Sequence, residues 1–92
     1  MKSTTLIQTT DAKRIAKRLT NHWKHKFEVI ETEQDFKILL PTAVITLTPQ
    51  PENLDVIIKS DDENHDRLEQ VVLDHINRMA QQEFKVIWHH PF

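Results

Sequence analysis

Histidine is the residue type in this chain with the widest chemical reach, and two of its six copies sit three apart in His22-Trp23-Lys24-His25-Lys26. A neutral imidazole can ligate zinc or ferrous iron and can carry protons near neutral pH. Residues three apart on a helix occupy neighbouring flanks, so His22 and His25 can chelate one ion. A third donor must come from elsewhere, and His75, Asp74 and Glu83 are the candidates. Two or three imidazoles with one carboxylate would suit zinc or iron as a cofactor. Trp23, Trp88 and Arg78 are candidates to line such a pocket, with Arg78 and Glu83 close enough in sequence to pair. The plainer reading of the same histidines is packing, each ring holding one hydrogen bond to backbone or carboxylate. Acid–base catalysis is a third reading and lacks a nucleophile with a partnered base. Ser3 and Ser60 are the only serines, one near the terminus and one at a helix cap.

Other chemistries are closed by composition. There is no cysteine, so disulfides, thiolate nucleophiles and cysteine-held metal centres are excluded. There is also no glycine. Phosphate-cradling loops, dinucleotide fingerprints and nucleophile elbows depend on glycine where backbone must approach a ligand or take positive φ. A net charge of −2, with acids and bases interspersed, does not suit a nucleic-acid binder. Lys13, Arg14, Lys17, Arg18, Lys24 and Lys26 are the one basic concentration, and they read as a solvated helix face. No apolar run is long enough to span a membrane, and Met1–Thr10 lacks the features of a signal peptide. The expected location is the cytoplasm.

The elements that must position these residues follow from periodicity. The 92 residues suit one domain over 1–92. A short β-prone run over 4–9 precedes Thr10 or Asp11, either of which can cap a helix. Ala12, Ile15, Ala16, Leu19 and Trp23 then form one apolar stripe. Stepping about 100° per residue places His22 inside that stripe and His25 on its edge. The helix is expected to end near Lys24 or His25, before the alternation of Phe27 to Glu31. Phe36/Ile38/Leu40, Ala43/Ile45/Leu47 and Leu54/Val56/Ile58 each share a strand face, separated by Pro41 and by Pro49-Gln50-Pro51-Glu52-Asn53. Ser60-Asp61-Asp62-Glu63 matches a capping box opening a second helix with its stripe on Leu68, Val71, Val72, Ile76, Met79 and Ala80. His75 falls inside that stripe and is expected to be largely buried. Phe84 to Trp88 alternates as a final strand, and His89-His90-Pro91-Phe92 reads as a frayed end. The fold class is therefore α+β: a two-layer sandwich, mostly antiparallel, in the order β-α-β-β-β-β-α-β, with both helices on one face.

The run Leu19-Thr20-Asn21-His22-Trp23-Lys24-His25-Lys26-Phe27 resembles a family of short bacterial proteins grouped as domain-of-unknown-function family 2218. The likeness continues through Leu39-Leu40-Pro41, Leu68 to Ala80, Glu83 and Val86-Ile87-Trp88, nearly the whole chain. Ile15, Thr20 and Met79 depart from it, where an aromatic, a cysteine and a phenylalanine are common. The resemblance implies no established activity. It does imply a setting, because such domains occur alone or joined to flavin-dependent siderophore-interacting proteins, which release iron from ferric siderophores. An aldolase activity sometimes attached to the family does not fit a chain of this size, since such enzymes are barrels of about 250 residues.

Three functions follow as expectations. The first is an accessory or binding module in iron or siderophore handling, with a siderophore-interacting protein or a ferric siderophore as partner. The second is a small metal- or histidine-dependent enzyme using His22, His25, His75 and Glu83. The third is a structural or dimerisation domain, a homodimer, in which the His-Trp run locks the first helix onto the sheet.

Overall fold

The computed structural model describes residues 1–61 and 63–91. Its elements are β1 (Lys2–Gln8), α1 (Ala12–Trp23), β2 (Glu28–Glu31), β3 (Phe36–Leu39), β4 (Ala43–Pro49), β5 (Asn53–Ser60) and α2 (His65–Ala80). The five strands form one antiparallel sheet in the order β1-β5-β4-β3-β2. The α+β class, antiparallel pairing and single helical layer agree with the sequence-based expectation. Among the described residues, no helix is long and apolar enough to cross a membrane.

Register explains why one face is buried. Ser3, Ile58, Ile45, Ile38 and Val29 stand opposite one another across all five strands. Thr5, Val56, Leu47 and Phe36 form the adjacent row. Side chains alternate faces with period two, so these rows, with Ile7 and Leu54, meet the helices. The opposite face carries Thr4, Ile57, Thr46 and Lys37. From the helical layer, Ala12, Ile15, Ala16, Leu19 and Trp23 of α1 and Val72 and Ile76 of α2 complete the core. Each such aliphatic side chain contributes roughly 1.5–3 kcal/mol by leaving water. At the β1 end of the sheet the inward residues turn polar, Ser3 and Thr5, and both are buried.

The C-terminal segment departs from expectation. Phe84 to Trp88 is extended but is not a strand; it meets the sheet through one antiparallel bridge, Thr4 to His89, whose two backbone bonds are both 2.8 Å. Local chemistry stops the ladder on each side. The next hydrogen-bonded pairs would be Lys2 with Pro91 and Leu6 with Ile87. Pro91 has no N–H to give, and the Ile87 carbonyl accepts the Thr5 hydroxyl at 3.0 Å instead. Phe84, Val86 and Trp88 still pack against the core.

Both ends of α2 also differ from the simplest reading. Ser60 closes β5, and the helix begins only at His65; Asp62 of the expected capping box lies outside the described residues. At the far end Gln81 adopts φ 57°, ψ 39°, and the Gln82 N–H returns to the Asn77 carbonyl at 3.1 Å, a Schellman-type end. A chain without glycine places a side chain where glycine is the usual solution. Gln81→Gly is therefore expected to raise unfolding stability by about 0.5–1 kcal/mol, read as a higher urea midpoint.

Candidate functional site

The sequence-predicted residues separate into those the fold gathers and those it does not. α1 and α2 lie side by side, with the Arg18 guanidinium donating to the Met79 carbonyl at 3.1 Å. Next to that seam the His22 and His75 rings stand 5.6 Å apart, centroid to centroid. Trp23 is buried at 6% exposure and forms the floor, its ring 4.8 Å from that of His75 and 6.3 Å from that of Phe27. His75 Nδ1 lies 2.7 Å from the Val71 carbonyl. A carbonyl can only accept, so Nδ1 carries a proton, and in the neutral ring Nε2 keeps its lone pair. Metal-ligating histidines are commonly fixed in this way.

Burial corrects two expectations. His22 is exposed and His75 only half-buried, because the position lies at the solvent lip of the helix seam, on the flank of each stripe. His25 does not extend the pair. α1 ends at Trp23, and the Lys26 and Phe27 N–H groups both bond back to the Trp23 carbonyl. His25 therefore lies on an exposed turn rather than one helical step beyond His22. Glu83 and Arg78 are exposed, and the ion pairs of the described residues do not include an Arg78–Glu83 pair. Trp88 is half-buried against the core, on the tail rather than beside the histidine pair.

A second constellation was missed at the sequence level. Ser3 of β1, His65 and Glu69 of α2 and His90 of the tail converge at the polar end of the sheet. The Ser3 oxygen is 2.5 Å from His65 Nε2, and the Ser3 hydroxyl donates to Glu69 Oε2. His90 Nε2 is 2.6 Å from the same carboxylate oxygen. Ser3 and His65 have no exposed surface, and Glu69 is 7% exposed. In the sequence Ser3 reads as a residue near the terminus and His90 as part of a frayed end. The one available sequence signal was the His65-to-Glu69 spacing of four, which aligns both on one helical face.

The serine, histidine and carboxylate are not arranged as a nucleophilic triad. In a triad the carboxylate holds His Nδ1 and leaves Nε2 free to take the serine proton. Here the carboxylate receives the serine proton directly, so the serine oxygen accepts from His65 Nε2–H. His65 Nδ1 is buried without a hydrogen-bond partner among the described residues, and Ser3 has no exposed surface to offer a substrate. A cleft of ≈ 660 Å³ opens elsewhere, lined by Met1, Lys2, Lys59 and residues 40–44 among others, and by no histidine.

The sequence profile of a family described as "Uncharacterized protein conserved in bacteria (DUF2218)" matches residues 4–89. The chain belongs to this family. The match takes in β1 from Thr4 onward, both helices and the tail up to His89, and so contains every residue of the helix-seam pair. Among solved structures, the NMR structure of PA4090 from Pseudomonas aeruginosa is similar at 33% identity, over 96% of this chain and 94% of that one, with a TM-score of 0.80. No curated protein matches. The fold of this family is thus recognisable in another bacterial chain, and the family description assigns no activity.

Proposed function

We propose that this DUF2218 domain is an accessory binding module in iron or siderophore handling, and that the helix seam bearing His22, Trp23 and His75 is its contact face. The observation that carries the reading is the His22–His75 pair. Two imidazoles from different helices share one solvent-facing position, and the tautomer of His75 leaves Nε2 available to an ion. Two protein donors leave the remaining coordination positions to water or a small chelator, which suits transient handling more than permanent storage. The rigid Trp23 floor fixes the half-buried ring. The setting in iron metabolism, and a flavin-dependent siderophore-interacting protein or ferric siderophore as partner, come from the family resemblance.

The test is zinc titration of the full chain by native mass spectrometry and calorimetry, zinc serving as a redox-inert probe. His22→Ala/His75→Ala is expected to remove one bound equivalent or weaken it at least tenfold, whereas His25→Ala and Glu83→Ala leave it unchanged. Undiminished stoichiometry and affinity in the double variant would falsify the reading.

A further inference from the structure

The polar cluster at the other end of α2 carries a separate inference, independent of the helix-seam pair. We propose that Asp66, Glu69 and His90 form a site for one divalent transition-metal ion, and that the bound ion fastens the C-terminal segment to α2. One donor atom from each of the three side chains lies within 4.8 Å of the others. Asp66 and Glu69 are three apart and share a face of α2; His90 arrives from a segment 21 residues further along the chain than Glu69. Zinc binds such nitrogen and oxygen donors at about 2.0–2.2 Å, so small rotations of these side chains bring all three to one ion. One imidazole with two carboxylates is a donor set for zinc, manganese or ferrous iron.

What lies behind the donors distinguishes this cluster from an ordinary acidic helix start. The His65 imidazole has no exposed surface. Its Nε2 edge is turned into the cluster, 3.8 Å from Glu69 Oε2, and its Nδ1 has no hydrogen-bond partner among the described residues. Ser3, equally buried, bonds both His65 and Glu69. A carboxylate is thus held nine-tenths buried by a hydroxyl and an imidazole, and the imidazole also meets the His90 ring edge-on, 6.3 Å between centroids. Asp66, in the same turn, is exposed and shows that a helix start needs no such support. Buried polar groups that aim a ligating carboxylate are the usual outer shell of a metal site. In front, the side chain of His90 is 50% exposed, so an ion can enter from solvent and keep water at its open positions.

The consequence is mechanical. The tail holds the edge of β1 by the Thr4–His89 bridge and the Thr5–Ile87 bond, and it meets this end of α2 through His90, which contacts the Glu69 carboxylate and the His65 ring. An ion shared by His90, Glu69 and Asp66 binds only the docked tail, so metal binding and docking are linked.

The experiment titrates zinc into the full-length chain and four variants: Asp66→Asn, His90→Ala, His89→Ala and His22→Ala/His75→Ala. Expected is a loss of one equivalent, or at least tenfold weaker binding, in Asp66→Asn and His90→Ala and none in His89→Ala, and this equivalent is distinct from the one that His22→Ala/His75→Ala removes. Zinc should also raise the melting temperature of the wild type and slow amide exchange at Thr4 and His89. The side chain of His89 shares a face with Thr4, away from Glu69, so its removal should leave the site intact. Asp66 is exposed, so Asp66→Asn tests the site without endangering the fold. Wild-type affinity in Asp66→Asn and His90→Ala overturns the proposal. Equal weakening in His89→Ala and His90→Ala does so too, since it identifies adventitious chelation by the paired histidines. Loss confined to the His22/His75 variant would support the helix-seam reading and overturn this one, and the converse pattern would do the reverse.

Discussion

Glu69→Ala is expected to lower unfolding stability by about 3 kcal/mol, because the carboxylate it removes is buried and holds other buried polar groups. The Glu69 carboxylate accepts from Ser3 and His90, and the Ser3–His65 pair beneath it is wholly buried. Removing the carboxylate takes away the acceptor of the Ser3 proton. The hydroxyl and the imidazole must then share protons between themselves in a space without water. Stranding a buried donor costs about 1–3 kcal/mol by itself, and the ties between α2 and the tail weaken as well. With a urea dependence of about 1–3 kcal/mol per molar, the midpoint should fall by about 1–3 M at unchanged slope. His90→Ala is the contrast. It removes a half-exposed ring from the same carboxylate, leaves Ser3 satisfied, and should cost at most about 1 kcal/mol. If Glu69→Ala were no worse than His90→Ala, the buried pair would not be anchored by the carboxylate.

Trp23→Ala is expected to cost about 3–5 kcal/mol, the range of large aromatic truncations in cores. A domain of this length is stable by roughly 5–14 kcal/mol in all, so the variant sits near the edge of folding at 37 °C. Trp23 belongs to the main apolar cluster, and Phe27 and His75 lie against its ring. The truncation therefore opens a cavity and removes the wall that orients His75. Trp23→Phe keeps most of the apolar contact and should cost about 1–2 kcal/mol. Thermal unfolding orders the three proteins, and the His75 ring resonances should move in Trp23→Phe although the fold persists. Unchanged His75 resonances would break the link drawn between the tryptophan floor and the histidine pair.

Much of the framework was legible because it depends on short-range periodicity. The stripe Ala12, Ile15, Ala16, Leu19, Trp23 and the alternations around Ile38, Ile45 and Val56 predict which faces are buried, and each does bury them. Misplacements arose where a boundary or an edge decided. His25 is lost from the helix because the chain turns after Trp23. His22 and His75 lie on stripe flanks, where accessibility depends on how closely the neighbouring helix approaches. The final run Phe84 to Trp88 has a strand's alternation, but alternation cannot show that Pro91 lacks the needed donor opposite Lys2. Nor can it show that the Thr5 hydroxyl claims the Ile87 carbonyl.

By itself, then, the sequence determined the α+β class, the two amphipathic helices, the buried rows of β3, β4 and β5 and the exclusion of cysteine- and glycine-dependent chemistry. All of these are read within one element or from composition. Only the tertiary structure decided which polar side chains meet. Ser3 and Glu69 are 66 residues apart, and His90 lies beyond the last helix, so no local pattern joins them. They meet because β1 pairs with β5 at one edge of the sheet, α2 starts above that edge, and the tail returns along it. The same folding reduced the His22-to-Lys26 run to one exposed imidazole facing His75. Long-range strand pairing, not spacing along the chain, set the chemistry available at both ends of α2.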